Sequence, residues 1–114
     1  MPTSSKRPRR VAELIQTIVA DLLIKSVSDP RLKNVSITHV NLSPDFDNAT
    51  IYFLLLDENE NAIHEAEKAF QKASGFFRYQ LAQSTELRHT PKLIFKYDQS
   101  SATAQRISDL LKGS

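Results

Sequence analysis

AIHEAEKAFQKASGFFRYQLAQS, residues 62–84, carries apolar side chains at Ala62, Ile63, Ala66, Ala69, Phe70 and Ala73. That is the i, i+3, i+4, i+7 spacing of a helix with one buried stripe. At Ser74-Gly75 the pattern meets a residue that costs about 1 kcal/mol relative to Ala inside a helix and that serves wherever a backbone turns. The pair predicts a kink or break, with a second short helix from Phe76 to Ser84. Lys68, Lys72 and Arg78 bring charge to the junction, and Phe76, Phe77 and Tyr79 bring rings. Tyr79 has two readings at this point, stacking on a base or packing beneath the second short helix.

Working outward, Ala49-Thr50-Ile51-Tyr52-Phe53-Leu54-Leu55-Leu56 is strongly β-prone, and the chemistry of Ser43-Pro44-Asp45-Phe46-Asp47-Asn48 is that of a turn. Before the turn, Val35 to Leu42 alternates like a strand, but its apolar phase moves from Val35 and Ile37 to Val40 and Leu42. A bulge near Thr38-His39 accounts for the shift, and the two strands form an antiparallel hairpin. Lys92 to Asp98 reads as a third strand. A long first helix buries Val11, Leu14, Ile15, Ile18, Val19 and Leu22, has Pro8 in its first turn, and stops near Ser28-Asp29-Pro30 because a residue before Pro is pushed out of the helical region. Ser100 or Ser101 caps a last helix with Ala104, Ile107, Leu110 and Leu111 inward, ending at Gly113.

The expected class is α+β, in the order α-β-β-α-α-β-α, with a three-stranded mixed sheet covered by helices on one face. If the two middle helices each reverse the chain, the third strand runs antiparallel to the second and parallel to the first. Residues 1–8 read as a flexible N-terminal tail and residues 9–112 as one domain, a size that suits a modest single core at 114 residues and 40% apolar composition.

Charge is informative through its placement. Residues 1–40 hold seven Lys/Arg and three Asp/Glu, residues 41–67 none and seven, residues 68–96 six and one, and residues 97–114 two and two, giving +4, −7, +5 and 0. Two basic blocks flank an acidic one, so folding can set a basic face against an acidic face, the footprint of a polyanion binder. The first block contains Lys6, Arg7, Arg9, Arg10, Arg31 and Lys33, the second Lys72, Arg78, Arg88 and Lys92. Arginine and lysine in this arrangement suit RNA phosphates, and Ser74 and Gly75 would let a backbone approach closely between them.

Several classes of function find no support. The absence of Cys removes disulfides, thiolate catalysis and Cys-based zinc sites, and fits a reducing, cytoplasmic location. No stretch approaches the roughly 20 apolar residues of a membrane span. His39, His64 and His89 lie in separate elements without paired ligand spacing, and Asp45-Phe46-Asp47-Asn48 lacks the Gly and closing Glu of a calcium loop. No nucleophile elbow or Gly-rich phosphate loop occurs. The expectation is a binding protein and not an enzyme, monomeric, with no metal, cofactor or small-molecule substrate.

Five strings are familiar in their order and spacing: Arg10-Val11-Ala12-Glu13-Leu14-Ile15, Asp29-Pro30-Arg31-Leu32, Val40-Asn41-Leu42-Ser43-Pro44-Asp45, Lys72-Ala73-Ser74-Gly75-Phe76-Phe77-Arg78, and Leu87-Arg88-His89-Thr90-Pro91-Lys92-Leu93-Ile94-Phe95. Through them the chain resembles the bacterial ribosome-binding factor A family over most of its length. The resemblance implies a KH type II fold that binds the free, immature small (30S) ribosomal subunit and assists late maturation and processing of 16S rRNA, importantly at low temperature. It also implies that Ala73-Ser74-Gly75 is the family's Ala-x-Gly helix kink, standing where strand-clamping KH domains carry Gly-x-x-Gly. With only Gly75 and Gly113 present, no Gly-x-x-Gly is possible, so binding to structured RNA through phosphates and shape is expected. Two alternatives remain open: a general cold-shock RNA-binding module, and a protein-docking domain that works through its acidic middle block.

Overall fold

The computed structural model describes residues 2–57, 59–84, 87 and 89–99, with side chains from Arg7 onward. The elements run α1 (Pro2–Lys25), a 3-10 turn (Pro30–Leu32), β1 (Val35–Leu42), β2 (Asn48–Leu55), α2 (Glu60–Ala82) and β3 (Lys92–Tyr97). The last helix expected between Ser100 and Gly113 lies outside the described residues.

α1 buries Ile15 and Val19 completely and packs Val11, Ile18 and Leu22 partly, as its periodicity requires. Its helical backbone begins at Pro2, so Pro8 lies inside the helix and not in its first turn. It ends at Lys25, three residues earlier than the Asp29-Pro30 signal suggests, because that signal serves the 3-10 turn. Asp29 is extended, with φ −64° and ψ 121°, and its carboxylate accepts the Arg31 backbone N–H at 2.9 Å.

The hairpin forms as expected, bulge included. Ile37 pairs with Phe53 and His39 with Tyr52, leaving Thr38 as the extra residue. The insertion lets Val35 and Ile37, and after it Val40 and Leu42, all pack on the core despite their opposite phases. In the connecting turn the Phe46 N–H donates to Ser43 O at 2.9 Å, and Phe46 takes the left-handed φ of 64°. Asp45 Oδ1 accepts from the Ser43 hydroxyl at 2.7 Å and from the Asp47 N–H at 3.0 Å.

The middle of the chain departs from expectation. In place of two helices separated at Ser74-Gly75 there is one, α2, of 23 residues, with Gly75 inside it and no glycine at positive φ among the described residues. The stripe Ala66, Phe70, Ala73, Phe77, Leu81 continues across the glycine at helical spacing, and Phe77 and Leu81 are fully buried. Burying each of these two side chains contributes about 1.5–3 kcal/mol, more than the ~1 kcal/mol a helical glycine costs, so the helix continues. The Asn59 side chain caps it, accepting from Asn61 N at 2.8 Å and Ala62 N at 3.3 Å.

The chain turns back into one helix and turns again out of it, and this corrects the expected strand direction. β3 runs parallel to β2, with Asn48 opposite Lys92 and Phe53 opposite Tyr97, and is therefore antiparallel to β1. The sheet is three-stranded and mixed, in the order β1-β2-β3. Ala49, Ile51, Phe53 and Leu55 of β2 point toward the helices. Under α2 the Phe70 ring stacks on Phe95 at 4.3 Å and 6°, and meets Phe53 at 4.9 Å and Phe77 at 6.1 Å.

Candidate RNA-binding surface

The β1–β2 turn gathers three segments at one end of the sheet. The Arg7 guanidinium of α1 lies 5.7 Å from the centre of the Phe46 ring, within cation–π range. Asp47 accepts the Lys92 backbone N–H at 2.8 Å, and its carboxylate lies 2.9 Å from His89 Nε2. From α2, the Arg78 guanidinium donates to Thr90 O at 3.2 Å. The basic start of α1 and the beginning of β3 thus meet at one turn, and the second half of α2 is tied through Thr90 to the segment leading into β3, which joins part of the first basic block to part of the second.

Arg9 and Arg10 are exposed within a turn of Arg7. Arg9 has a 3.7 Å contact with Glu13, an exposed i,i+4 pair of the kind that contributes about 0.3–0.5 kcal/mol and yields readily to a stronger anion. On α2, Lys72, Gly75 and Arg78 follow one another at i, i+3, so they share an outer face. A Cβ placed on Gly75 would meet nothing within 4 Å. The surface above the glycine is open, and Gly75, Arg78, Tyr79, Ala82 and Thr90 line a shallow depression of about 400 Å³. Tyr79 is 64% exposed, which removes its core reading. The Ser74 hydroxyl is turned inward to its own helix, donating to Gln71 O at 2.9 Å.

Arg31 and Lys33 are placed elsewhere. Arg31 lies within the 3-10 turn and Lys33 just after it, near the start of β1, beside a hollow of about 240 Å³ whose lining includes Asp57 and Glu65. Arg31 grips the Asp29 carboxylate with two bonds, Nε to Oδ1 at 3.1 Å and a terminal nitrogen to Oδ2 at 2.8 Å. The Arg31 side chain and then its backbone N–H hold the Asp29 carboxyl down to about 2, with Lys72 adding a smaller electrostatic contribution. The same pairing raises Arg31 above its ordinary value. One edge of the guanidinium is thereby occupied within the protein. The Lys6 side chain and Arg88 fall outside what is described.

Acidic and basic faces separate less cleanly than the block pattern predicts, since Asp45 and Asp47 sit in the turn at the basic end. Their charge is engaged locally: the Ser43 hydroxyl, then the Asp47 N–H, lower the Asp45 carboxyl, and Asp47 faces His89. Among the described residues no group of three His, Asp or Glu side chains could hold a metal, and no helix is long and apolar enough to cross a membrane. Sequence reasoning missed His89 and Phe46 as the joints of this surface, because their importance comes from the turn they meet and not from their neighbours in sequence.

The helix-covered mixed sheet, with a basic helical surface and without a Gly-x-x-Gly loop, defines a KH-like α+β domain. Residues 7–111 match the family model described as "Ribosome-binding factor A". A Coxiella burnetii protein named ribosome-binding factor A is 48% identical over 108 residues, covering 95% of this chain and 89% of that one. The fold matches a Thermotoga maritima protein solved in solution by NMR, with TM-score 0.70 and 28% identity over 79% of this chain and 85% of that one. It also matches a Thermus thermophilus ribosome binding factor A, a homology model fitted into a cryo-EM map of its 30S complex, with TM-score 0.63 and 25% identity over 78% of this chain and 92% of that one. The chain belongs to the ribosome-binding factor A family.

Proposed function

We propose that this protein binds the free, immature small ribosomal subunit and assists late maturation and processing of its 16S rRNA, in the cytoplasm and with greatest effect at low temperature. It acts as a monomer, by binding and not by catalysis, and needs no metal or other cofactor. The observation that carries this reading is the family match over residues 7–111, with the related Thermus thermophilus protein placed in a 30S complex.

The geometry supports a contact surface for that role. Arg7, Arg9, Arg10, Arg78 and Lys92 meet rRNA phosphates around the β1–β2 turn, and Lys72 extends the contact along α2. The bare helix surface at Gly75, beside Ser74, admits an RNA backbone more closely than any side chain would allow. Lys6 and Arg88 belong to the same proposed set by sequence position, while Arg31 and Lys33 form a weaker, separate contribution. A folded RNA read through phosphates and shape suits a domain without the strand-clamping loop.

Sedimentation tests the reading. Tagged protein run through a sucrose gradient with cell extract should travel with free small subunits and not with large subunits or mature ribosomes, and cells lacking it should accumulate small subunits with unprocessed rRNA ends in the cold. Protein that remains at the top of the gradient, or normal cold polysome profiles in its absence, would refute the proposal.

A further inference from the structure

α1 and α2 share one face of the sheet, so no described helix covers the other. Across that face, open among the described residues, the strands set His39, Tyr52 and Lys96 side by side in one row and Asn41, Thr50 and Ile94 in the next, with Lys92 at the beginning of β3. The bulge at Thr38 creates the first row: without the extra residue His39 would point toward the helices. Instead its ring stacks on Tyr52 at 4.4 Å and 15°. The bulge is itself anchored, because the Thr38 hydroxyl donates to Asp98 Oδ2 at 2.8 Å, and His39 Nδ1 stands 3.8 Å from the same oxygen.

The charge of this face is one-sided. Lys92 and Lys96 are exposed and make no salt bridge among the described residues, and none of the outward strand positions carries a carboxylate. Beside the ring pair lies a hollow of about 550 Å³ lined by His39, Tyr52, Lys96 and Asp98, and by Glu67 from α2. Asp98 is buried and bonded to Thr38, so among the strand positions of this face the lysines are the charges that reach solvent, with the half-buried Glu67 of α2 beside them.

We infer that this sheet face is a second RNA contact, on which one unpaired nucleotide stacks against the His39–Tyr52 pair while Lys96, and Lys92 at the border shared with the helical surface, hold the flanking phosphates. The inference rests on the reading of the chain as an rRNA binder and adds a ligand class, the splayed single-stranded base, that the helical surface does not serve. Aromatic rings on a flat sheet accept any base through its π-face, and lysines on the adjacent strand supply the phosphate attraction. The lysines lie about 13 Å apart along β3, on either side of Ile94, far enough to hold phosphates on both sides of one base. An acidic peptide would use the lysines and leave the rings idle.

The test titrates isotope-labelled full-length protein with single-stranded octauridylate, following backbone amides by NMR, and measures small-subunit affinity separately. Shifts should concentrate at Thr50, Tyr52, Ile94 and Lys96. Tyr52→Thr and, independently, Lys96→Glu should each weaken octauridylate binding about tenfold, while Tyr52→Phe, which keeps the ring, should bind as wild type. Melting curves identify any variant that fails to fold, and Lys96→Glu, at an exposed site, then decides alone. Shifts confined to α1 and Arg78–Thr90, wild-type affinity in Lys96→Glu, or equal shifts with oligoglutamate would overturn the inference. If wild type binds octauridylate here but not small subunits, the sheet-face site stands and the proposed function falls.

Discussion

Arg78, in the second half of α2, donates from its guanidinium to the backbone carbonyl of Thr90, 12 residues ahead and 3.2 Å away. A cation proposed to meet RNA is therefore also the strut between the long helix and the chain leading into β3. Among the described residues the rest of the guanidinium fork has no partner, so the carbonyl aims the charge and does not consume it. Arg31 is the contrast, with one edge of its fork, Nε and a terminal nitrogen, committed to the Asp29 carboxylate.

Binding should follow that distinction. With about five phosphates neutralised, small-subunit affinity should fall with salt at a log–log slope of roughly −3 to −5. Reversing Arg9, Arg10 and Arg78 to Glu should weaken binding far more than reversing Asp57 and Glu60 to Lys, as measured by co-sedimentation across a salt series. Salt-independent binding, or equal effects, would remove the basic surface from the proposal.

Gly75→Ala should stabilise the protein by about 0.4–1 kcal/mol, because the helical backbone accepts a methyl group and nothing lies within 4 Å of it. Thermal melting should rise by a few degrees. Small-subunit binding should nevertheless weaken, since the added methyl stands where the RNA backbone approaches. A stabilised variant with wild-type affinity would show that the glycine is irrelevant to binding.

Neighbouring positions on α2 should behave in opposite ways. Phe77→Ala removes a fully buried ring from the cluster with Phe70 and Phe95 and should cost about 3–5 kcal/mol in denaturant unfolding. Tyr79→Ala, at a side chain 64% exposed, should change stability by no more than about 0.5 kcal/mol. A large loss at Tyr79 would return that ring to the core.

The Asp29–Arg31 pair predicts an acid limb. Asp29 is depressed from 3.8 to about 2, so its contribution is fully present above the unfolded value and is lost as pH falls through the folded one. Wild type should melt above Asp29→Asn at neutral pH, and the gap should narrow between about pH 4 and pH 2. A constant gap across that window would mean that the cap, and not the charge, is what the substitution removes.

The strands, the bulge and the turn were legible in sequence because each depends on a short-range signal: period-two alternation, its phase slip at Thr38, and the Ser-Pro-Asp-Phe-Asp-Asn chemistry. The direction of β3 was not. Gly75 was weighed against its immediate neighbours, while the outcome depended on Phe77 and Leu81 finding Phe95 and the sheet, a tertiary gain invisible to local propensity. The basic blocks were visible as composition, but their division into a joined set around Phe46 and Asp47 and a self-paired set at Arg31 required the fold. For Arg31 a signal did exist, since Asp-Pro-Arg places a carboxylate two residues from the guanidinium across a turn.

The Gln16 amide, reaching from α1 to the carbonyls of Ile37 and Thr38 at 3.3 Å each, has a consequence for how the molecule behaves in company. β1 is an outer strand, and bare outer strands recruit further strands from other chains. Here a side chain occupies the acceptors at the bulge, and the bulge itself spoils the flat template. On the opposite border, Lys92 and Lys96 would set like charges against any second copy arriving in register. Both margins of a small sheet are thus guarded against extension and aggregation, one by a hydrogen-bonded plug and the other by repulsion.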